Sequence, residues 1–437
     1  MKKIFFCLLL VIIILPLSST NSTITKAKTS EWHPGEQYFK GDYDYNADQP
    51  AALNWNRQSN FYSIDSNPNI KWTSKVAGFR GDPVIGTDGT IYVHQQDKLY
   101  AFNADGSVKW ATESLFGNVS IGYDGTIFSG KTAYNPDDGS IKWSIKGYSR
   151  ATPAIGESVI YTVVDNKLMA LDYKDGSLIW KSPDLEPYSA YSPSPVVSSD
   201  GTIYVSTDAP NNSFSYLYAF DKNGKEKWKY QYKQGAGGEG NVPTIGSDGT
   251  IYTTKNNILY AITPNGELLW ELGFAKKISQ VVISKDEVIY LGSWDYNLYA
   301  LNKDGSEKWR KSLNSYVRGV PILDINGNIL VMDNYGTLFS VNNLGKTNWT
   351  TKLDTVSSYS SPAIAKDGTI YIGTSYAFNA VTGEKNANQS CSIYDIIDEL
   401  LENPQSNEDI ERAKSYINDI KYKVDGWESK INEYEKK

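Results

Sequence analysis

The stretch "DGTIYVHQQDKLYAFNADGSVKW" at residues 88–110 alternates short apolar runs with Asp-Gly turns and ends in a tryptophan. Nearly the same pattern returns as "DGTIYTTKNNILYAITPNGELLW" at 248–270 and as "KDEVIYLGSWDYNLYALNKDGSEKW" at 285–309. Asp-Gly between alternating apolar runs is a strong hairpin signal, because glycine supplies the positive φ that the turn needs. Each copy therefore predicts three consecutive strands, the last two joined by a tight turn.

The tryptophans that close the copies set the period of the repeat. They are Trp72, Trp110, Trp143, Trp180, Trp228, Trp270, Trp309 and Trp349, and successive steps run from 33 to 48 residues. A period near 40 residues is typical of propellers with one four-stranded blade per repeat. Seven complete units end at residues 110, 143, 180, 228, 270, 309 and 349, and an eighth, at 360–389, lacks the closing tryptophan. The sequence predicts an all-β, eight-bladed β-propeller.

A short segment before the first unit supplies the strand that the eighth unit lacks. Residues 67–72, "NPNIKW", resemble the end of a unit such as "DGSIKW" at 138–143. We therefore expect residues 67–72 to fill the edge position of blade eight and to close the ring, giving a propeller that spans residues 67–390. Closure of this kind removes the exposed sheet edges that invite aggregation.

The repeated "DGTIYV…LYAFNADGSVKW" resembles the PQQ-like (pyrroloquinoline-quinone-type) propeller repeat, and the lead-in "LNWNRQSNFYS" at 53–63 resembles the segment before such propellers. Families with this repeat include quinoprotein dehydrogenases, the propeller lipoprotein of the bacterial barrel-assembly machinery, and surface proteins. The resemblance implies that a dehydrogenase would carry a vicinal cysteine pair beside its cofactor. This chain has two cysteines, Cys7 in the N-terminal apolar run and Cys391 near the C-terminus, so we expect no cofactor.

The two ends of the chain differ from the repeats. Residues 1–27 have the lysines and short apolar run of a secretory signal peptide, and residues 28–66 follow as a polar linker and lead-in segment. Residues 391–437 show helical periodicity with a heptad seam that includes Ile410, Ile417 and Ile431. We expect a helical hairpin that folds on itself or on the propeller, or else a coiled-coil element for oligomerisation. The mature protein is then secreted or at the cell surface, without a stable membrane span.

Composition excludes several kinds of chemistry. The formal charge is −7 without a basic stripe, which excludes nucleic acid as a partner. The two histidines are His33 in the linker and His94, which we place in a solvated loop of blade one. Two separated histidines do not make a zinc cluster or a serine-histidine triad. Most aspartates, such as Asp88 and Asp248, lie in Asp-Gly turns that explain them. We therefore predict neither catalytic nor metal-binding residues.

One position, three residues before the proline (or its equivalent) of the innermost strand of a blade, is repeatedly basic. It holds Arg80, Arg150 and Arg318 in blades one, three and seven, which would place three guanidinium groups around one half of the channel mouth. Arginine's planar fork suits carboxylate or phosphate groups. The alternative is that each arginine pairs with a local carboxylate such as Asp82. The remaining candidate ligand-binding residues lie across the axis or in a variable loop: Tyr191, Glu239, Asn241 and Trp294.

These residues favour a binding protein over an enzyme. Trp294 lies in the loop between the second and third strands of blade six, where it either stacks on a ligand or packs against the next blade. Variable loops on a rigid scaffold are where recognition concentrates. We expect an exported scaffold that recognises a protein or an acidic glycan through these loops. The alternative is a carbohydrate-active or quinone-linked extracytoplasmic enzyme.

Overall fold

The computed structural model describes residues 69–74, 82–95, 98–114, 118–156, 158–187, 193–208, 214–233, 242–324, 326–353, 361–365, 368–373 and 378–382. These residues form strands and turns, and none of them is helical. Within these ranges no helix has the length and apolarity needed to cross a bilayer. The predicted signal peptide (1–27), linker (28–66) and C-terminal helical hairpin (391–437) lie outside the described residues and stay predictions.

Thirty-two strands follow one another along the chain, beginning with β1 (Asn69–Thr73). Blade one comprises β2 (Val84–Ile85), β3 (Ile91–Gln95), β4 (Lys98–Phe102) and β5 (Val108–Glu113). Blade two comprises β6 (Val119–Ile121), β7 (Ile127–Ser129), β8 (Thr132–Tyr134) and β9 (Ile141–Ser144). Blade three comprises β10 (Ala154–Ile155), β11 (Val159–Val164), β12 (Lys167–Asp172) and β13 (Leu178–Asp184). Blade four comprises β14 (Pro195–Val197), β15 (Ile203–Ser206), β16 (Tyr216–Phe220) and β17 (Glu226–Gln231).

The second half of the chain repeats this arrangement. Blade five comprises β18 (Thr244–Ile245), β19 (Ile251–Lys255), β20 (Ile258–Ile262) and β21 (Leu268–Gly273). Blade six comprises β22 (Val282–Ile283), β23 (Ile289–Gly292), β24 (Asn297–Leu301) and β25 (Glu307–Ser312). Blade seven comprises β26 (Ile322–Leu323), β27 (Ile329–Met332), β28 (Thr337–Val341) and β29 (Thr347–Lys352). Blade eight comprises β30 (Ala363–Ile364), β31 (Ile370–Gly373) and β32 (Phe378–Thr382), and its fourth strand is β1.

The strands form eight four-stranded antiparallel sheets, which match one to one the eight units read from the sequence. In each of the first seven blades the strands pair in chain order, as β2-β3-β4-β5 do in blade one. The second and third strands are buried on both faces because sheets stack on either side of them, which explains apolar runs such as "IYV" and "LYAF". The fourth strand faces solvent and alternates exposed with half-buried residues, as β17 does. The fold is an all-β propeller.

Closing tryptophans join neighbouring blades. The indole of Trp110 donates a hydrogen bond to the Pro136 carbonyl in the turn before the fourth strand of blade two, at 2.9 Å. Seven tryptophans make this contact with the next blade: Trp72, Trp110, Trp143, Trp180, Trp228, Trp270 and Trp309. Each ring covers a turn glycine of positive φ, as Trp180 covers Gly224. Each of these tryptophans therefore fixes its own blade against the next blade of the ring.

Strand β1 closes the ring, as the sequence predicts. It pairs antiparallel with β32, with Asn69 opposite Thr382 and Thr73 opposite Asn379. Trp72 then reaches blade one, where its indole donates to the Ala104 carbonyl at 2.9 Å. On the inner strands, the Ser361 amide of blade eight donates to the Asp82 carboxylate of blade one at 2.6 Å. Blades eight and one are thus joined twice, through Trp72 at the outer strand of blade eight and through Asp82 beside the inner strand of blade one.

The prediction that His94 lies in a solvated loop is wrong. Strand β3 continues to Gln95, so His94 pairs with Leu99 inside the ladder and is 1% exposed. Its Nε2 lies 3.0 Å from the Ser129 hydroxyl of blade two. Burial lowers the pKa of His94 to about 4, so the ring is neutral at physiological pH. His94 is therefore a packing residue between blades one and two.

Two glycines of blade four separate the cost of backbone strain from the cost of displacing a tryptophan. Gly201 and Gly224 have φ of 80° and 82°, but a Cβ at Gly201 meets no atom closer than 4.0 Å, whereas a Cβ at Gly224 would lie 2.5 Å from the Trp180 ring. We expect Gly201→Ala to lower the free energy of unfolding by about 1 kcal/mol, and Gly224→Ala by roughly 2 kcal/mol more. Denaturant unfolding measures both. Equal losses would contradict the role given to the tryptophan contact.

Candidate functional site

The two faces of the ring differ. One face, the turn face, carries the short turns between the first and second and the third and fourth strands. The other, the loop face, carries the loops between the second and third strands and the connections between blades. Backbone hydrogen bonds hold the loop face together: the Trp294 amide donates to the Lys277 carbonyl and the Asn334 amide to the Tyr316 carbonyl, each at 2.8 Å.

Exposed aromatic side chains concentrate on the loop face. Among the described residues, six aromatic side chains are exposed, and one of them, Tyr123, lies on the turn face. The other five are on the loop face: Tyr148, Phe214, Trp294, Tyr296 and Tyr335. Aromatic residues are enriched in protein interfaces because they combine a large contact area with few rotatable bonds. The loop face is therefore the candidate binding surface.

Three aromatic rings and two cations meet where blades six and seven adjoin, and we refer to them as the Trp294 cluster: Lys277, Trp294, Tyr296, Tyr316 and Arg318. The Trp294 and Tyr316 ring centroids are 5.4 Å apart, and Tyr296 stacks on Tyr316 at 6.3 Å. The Arg318 guanidinium lies 5.1 Å from the Trp294 ring and 5.0 Å from the Tyr316 ring. The Lys277 ammonium lies 5.1 Å from the Trp294 ring. Trp294 thus packs against the connection to blade seven and also keeps 36% of its surface exposed.

Tyr296 has an unusual backbone conformation within this cluster. Its φ is 73°, in the left-handed region that bulky residues rarely adopt, and its phenol ring is 50% exposed. The corresponding residue of blade seven is Gly336, with φ of 78°; both residues donate their amide to the first residue of the loop, Ser293 or Asp333. A tyrosine at a position that suits glycine is strained, and strained residues of this kind cluster at functional sites.

Two of the three predicted arginines lie within the described residues, and each contacts a tyrosine two residues before it. The Arg150 guanidinium lies 5.5 Å from the Tyr148 ring, and the Arg318 guanidinium lies 5.0 Å from the Tyr316 ring. Blades three and seven are four apart in chain order, so these two arginines belong to opposite sides of the ring and are not brought together. Arg80, Tyr191, Glu239 and Asn241 lie outside the described residues, and the basic half of the channel mouth stays a prediction.

The pattern of a single repeat unit does not point to Lys277, Tyr296 or Tyr316. A signal for Tyr316 does exist, because the tripeptides "YSR" at 148–150 and "YVR" at 316–318 occupy the same place in two blade connections. Tyr296 could have been found as the residue that replaces glycine in an otherwise equivalent loop. Lys277 has no such signal, since it lies in the connection before blade six and meets Trp294 only because that connection packs against the loop after β23.

A buried ion pair supports the loop face between blades four and five. The Lys255 ammonium donates to the Asp208 carboxylate at 2.8 Å and to the Thr207 carbonyl at 2.7 Å, and it lies 5.2 Å from the Tyr232 ring. The side chains of Lys255 and Asp208 are 1% and 9% exposed. Burial lowers the pKa of Lys255, and the Asp208 charge opposes that shift. The pair fixes the base of the blade-four loop that follows β15.

A calcium-bound quinone cofactor would need a cluster of carboxylate and carbonyl oxygens to hold its ion. Within these ranges no three His, Cys, Asp or Glu side chains approach closely enough to hold a metal ion. The basic and aromatic groups of the Trp294 cluster are not hard-cation ligands, which are carboxylate and carbonyl oxygens.

Solved structures share the propeller fold. BamB from Moraxella catarrhalis is 17% identical with a TM-score of 0.54, and the match covers 74% of this chain and 99% of that one. Quinohemoprotein alcohol dehydrogenase from Comamonas testosteroni is 12% identical with a TM-score of 0.60, covering 82% of this chain and 84% of that one. At these identities the likeness shows the fold alone.

Sequence comparison finds one relative that matches a short segment of the chain and one family model that matches most of it. The uncharacterized protein YxaL of Bacillus subtilis (strain 168) is 40% identical over 85 residues, which are 18% of this chain and 20% of that protein. A family model described as outer membrane protein assembly factor BamB matches residues 57–208, 120–239 and 213–395, which together span most of the chain. With the repeats and the fold in agreement, the chain belongs to this BamB family of PQQ-type repeat propellers.

Proposed function

We propose that this protein is an extracytoplasmic scaffold that binds a protein partner on its loop face and catalyses no reaction. The observation that carries the proposal is the contrast between the faces: five of the six exposed aromatic side chains of the described residues lie on the loop face. The family description, an outer membrane protein assembly factor, supports a partner in the cell envelope. The closed ring supports a scaffold role, because it presents loops from many blades in fixed relative positions.

The binding surface can be tested by site-specific photo-crosslinking in the native cells. We would place benzoylphenylalanine at Tyr335 on the loop face and at Leu344 on the turn face, where the native side chains are 52% and 78% exposed. We expect a discrete protein adduct from position 335 and none from position 344. Adducts of equal yield from both positions, or none from 335 and from Tyr148, would overturn the proposal.

The enzyme alternative has its own test. Purified protein incubated with pyrroloquinoline quinone and calcium is expected neither to form a stoichiometric absorbing complex nor to reduce a dye in the presence of alcohols. Dye reduction that depends on both additions would replace the scaffold proposal with an enzyme.

A further inference from the structure

We infer that the Trp294 cluster binds a carboxylate-rich segment of the partner protein, an inference that rests on the proposed function. The cluster concentrates positive charge on exposed aromatic surface, because Lys277 and Arg318 both lie over the Trp294 ring. Lys277 is exposed and forms no salt bridge with any residue of the described ranges. An incoming carboxylate would therefore meet an ammonium group already held in place.

Asp295, the carboxylate in the same loop, forms no salt bridge with Lys277 among the described contacts. The Asp295 carboxylate accepts hydrogen bonds from the Asn297 amide at 3.1 Å and from the Tyr299 hydroxyl at 2.6 Å, so it serves the structure of its own blade. The Arg318 guanidinium donates to the Tyr316 hydroxyl at 3.3 Å, which orients its fork beside the Trp294 ring. Charge-assisted hydrogen bonds from an ammonium group such as that of Lys277 to carboxylates are stronger than neutral ones.

The arrangement of the rings favours a peptide over a sugar. A sugar ring stacks on an open aromatic face, whereas the Trp294 ring already has two cations over it and Tyr316 beside it. Tyr296 adds an exposed phenol at the edge of the cluster. A segment that alternates carboxylates with apolar or aromatic side chains would satisfy both the charge and the aromatic surface.

Binding of synthetic ligands to the full chain tests this inference. The probes are a fluorescein-labelled peptide of Glu-Glu-Tyr repeats, the same peptide with lysine in place of glutamate, and a labelled oligogalacturonate as the acidic glycan. Fluorescence anisotropy should show binding of the glutamate peptide that weakens with added salt, and no binding of the lysine peptide.

Adjacent lysines provide a matched pair of variants. Lys277→Glu and Lys276→Glu change the net charge equally, but the described contact with Trp294 belongs to Lys277. We expect Lys277→Glu to weaken binding of the glutamate peptide about tenfold or more, and Lys276→Glu to change it by less than about threefold. Trp294→Ala should also weaken binding, and the two lysine variants should keep the native melting temperature.

The outcomes separate this inference from the proposed function. If the glutamate peptide does not bind, or if the two lysine variants weaken it equally, the cluster is not the carboxylate site, although adducts from Tyr335 would still support the scaffold. If oligogalacturonate binds at the cluster and the peptide does not, the ligand is a glycan and the inference is wrong. Absence of both adducts and peptide binding would overturn both proposals.

Discussion

Deleting residues 67–73, which carry β1, is expected to open the ring and lower the melting temperature by on the order of 10 °C. The deletion removes the strand paired with β32, the Trp72 contact with Ala104, and the packing of the Trp72 ring on Phe102 and Tyr371. Replacing a fully buried tryptophan by alanine costs about 3–5 kcal/mol, and the partly buried Trp72 ring is expected to contribute part of that range. Thermal unfolding followed by circular dichroism would measure the loss, and light scattering would report aggregation through the exposed edge of blade eight.

Adding the missing strand back as a peptide shows whether the lower melting temperature results from loss of ring closure. Adding a synthetic peptide of residues 67–74 to the deleted protein should restore most of the melting temperature, because the peptide can occupy the vacant edge. Trp72→Ala should lose a large part of the stability, while Trp294→Ala, which removes the same side chain away from this interface, should lose little. An unchanged melting curve after the deletion would refute closure by β1.

Lys255→Met is expected to destabilise the protein by about 3–5 kcal/mol, because it leaves the Asp208 carboxylate buried without its cation. The ammonium now contacts Asp208, Thr207 and the Tyr232 ring in a site where the lysine side chain is 1% exposed. The Asp208 carboxylate would have to protonate or draw water into the interface between blades four and five. Denaturant unfolding at neutral pH would measure the effect.

Two variants make the Lys255 experiment specific. Lys255→Met combined with Asp208→Leu should recover more than half of the loss, since an apolar pair often replaces a buried ion pair without cost. Lys303→Ala removes another paired lysine, one that contacts Glu287 and Asp248 at 41% exposure, and should cost less than about 1 kcal/mol. A double variant as unstable as Lys255→Met would show that the cost lies in packing and not in charge.

The repeats were predictable because each one carries its own local chemistry. The Asp-Gly turns need a positive φ, the central strands need apolar residues on both faces, and each closing tryptophan needs a glycine in the next blade. The same logic predicted that β1 completes blade eight, since "NIKW" is an outer strand without a blade of its own. His94 failed the logic because it is the fourth residue of β3, which is still inside the ladder opposite Leu99, and its side chain lies between blades one and two.

The candidate site was predictable only in part, because contacts between blades create it. Arg318 and Trp294 stood out by position within their own repeats, but their meeting depends on the stacking of blade six on blade seven. Lys277 reaches the same ring from the preceding connection. Periodicity places a residue within a blade, whereas the contacts of a side chain that leaves its blade depend on the twist between sheets. Arg150 shows the limit, since it contacts Tyr148 as Arg318 contacts Tyr316, but the equivalent loop of blade two, between β7 and β8, contains no tryptophan.

Closure by β1 also sets the order in which the molecule can be completed. Synthesis begins at the N-terminus, so β1 emerges first and its partner β32 emerges after every other described strand. Until Thr382 is available, β1 has no ladder to join and the last sheet keeps an open edge. We therefore expect proteases to cleave a nascent or prematurely terminated chain more readily, because its last sheet has an open edge. Resistance to proteolysis then indicates that the whole repeat array has been made.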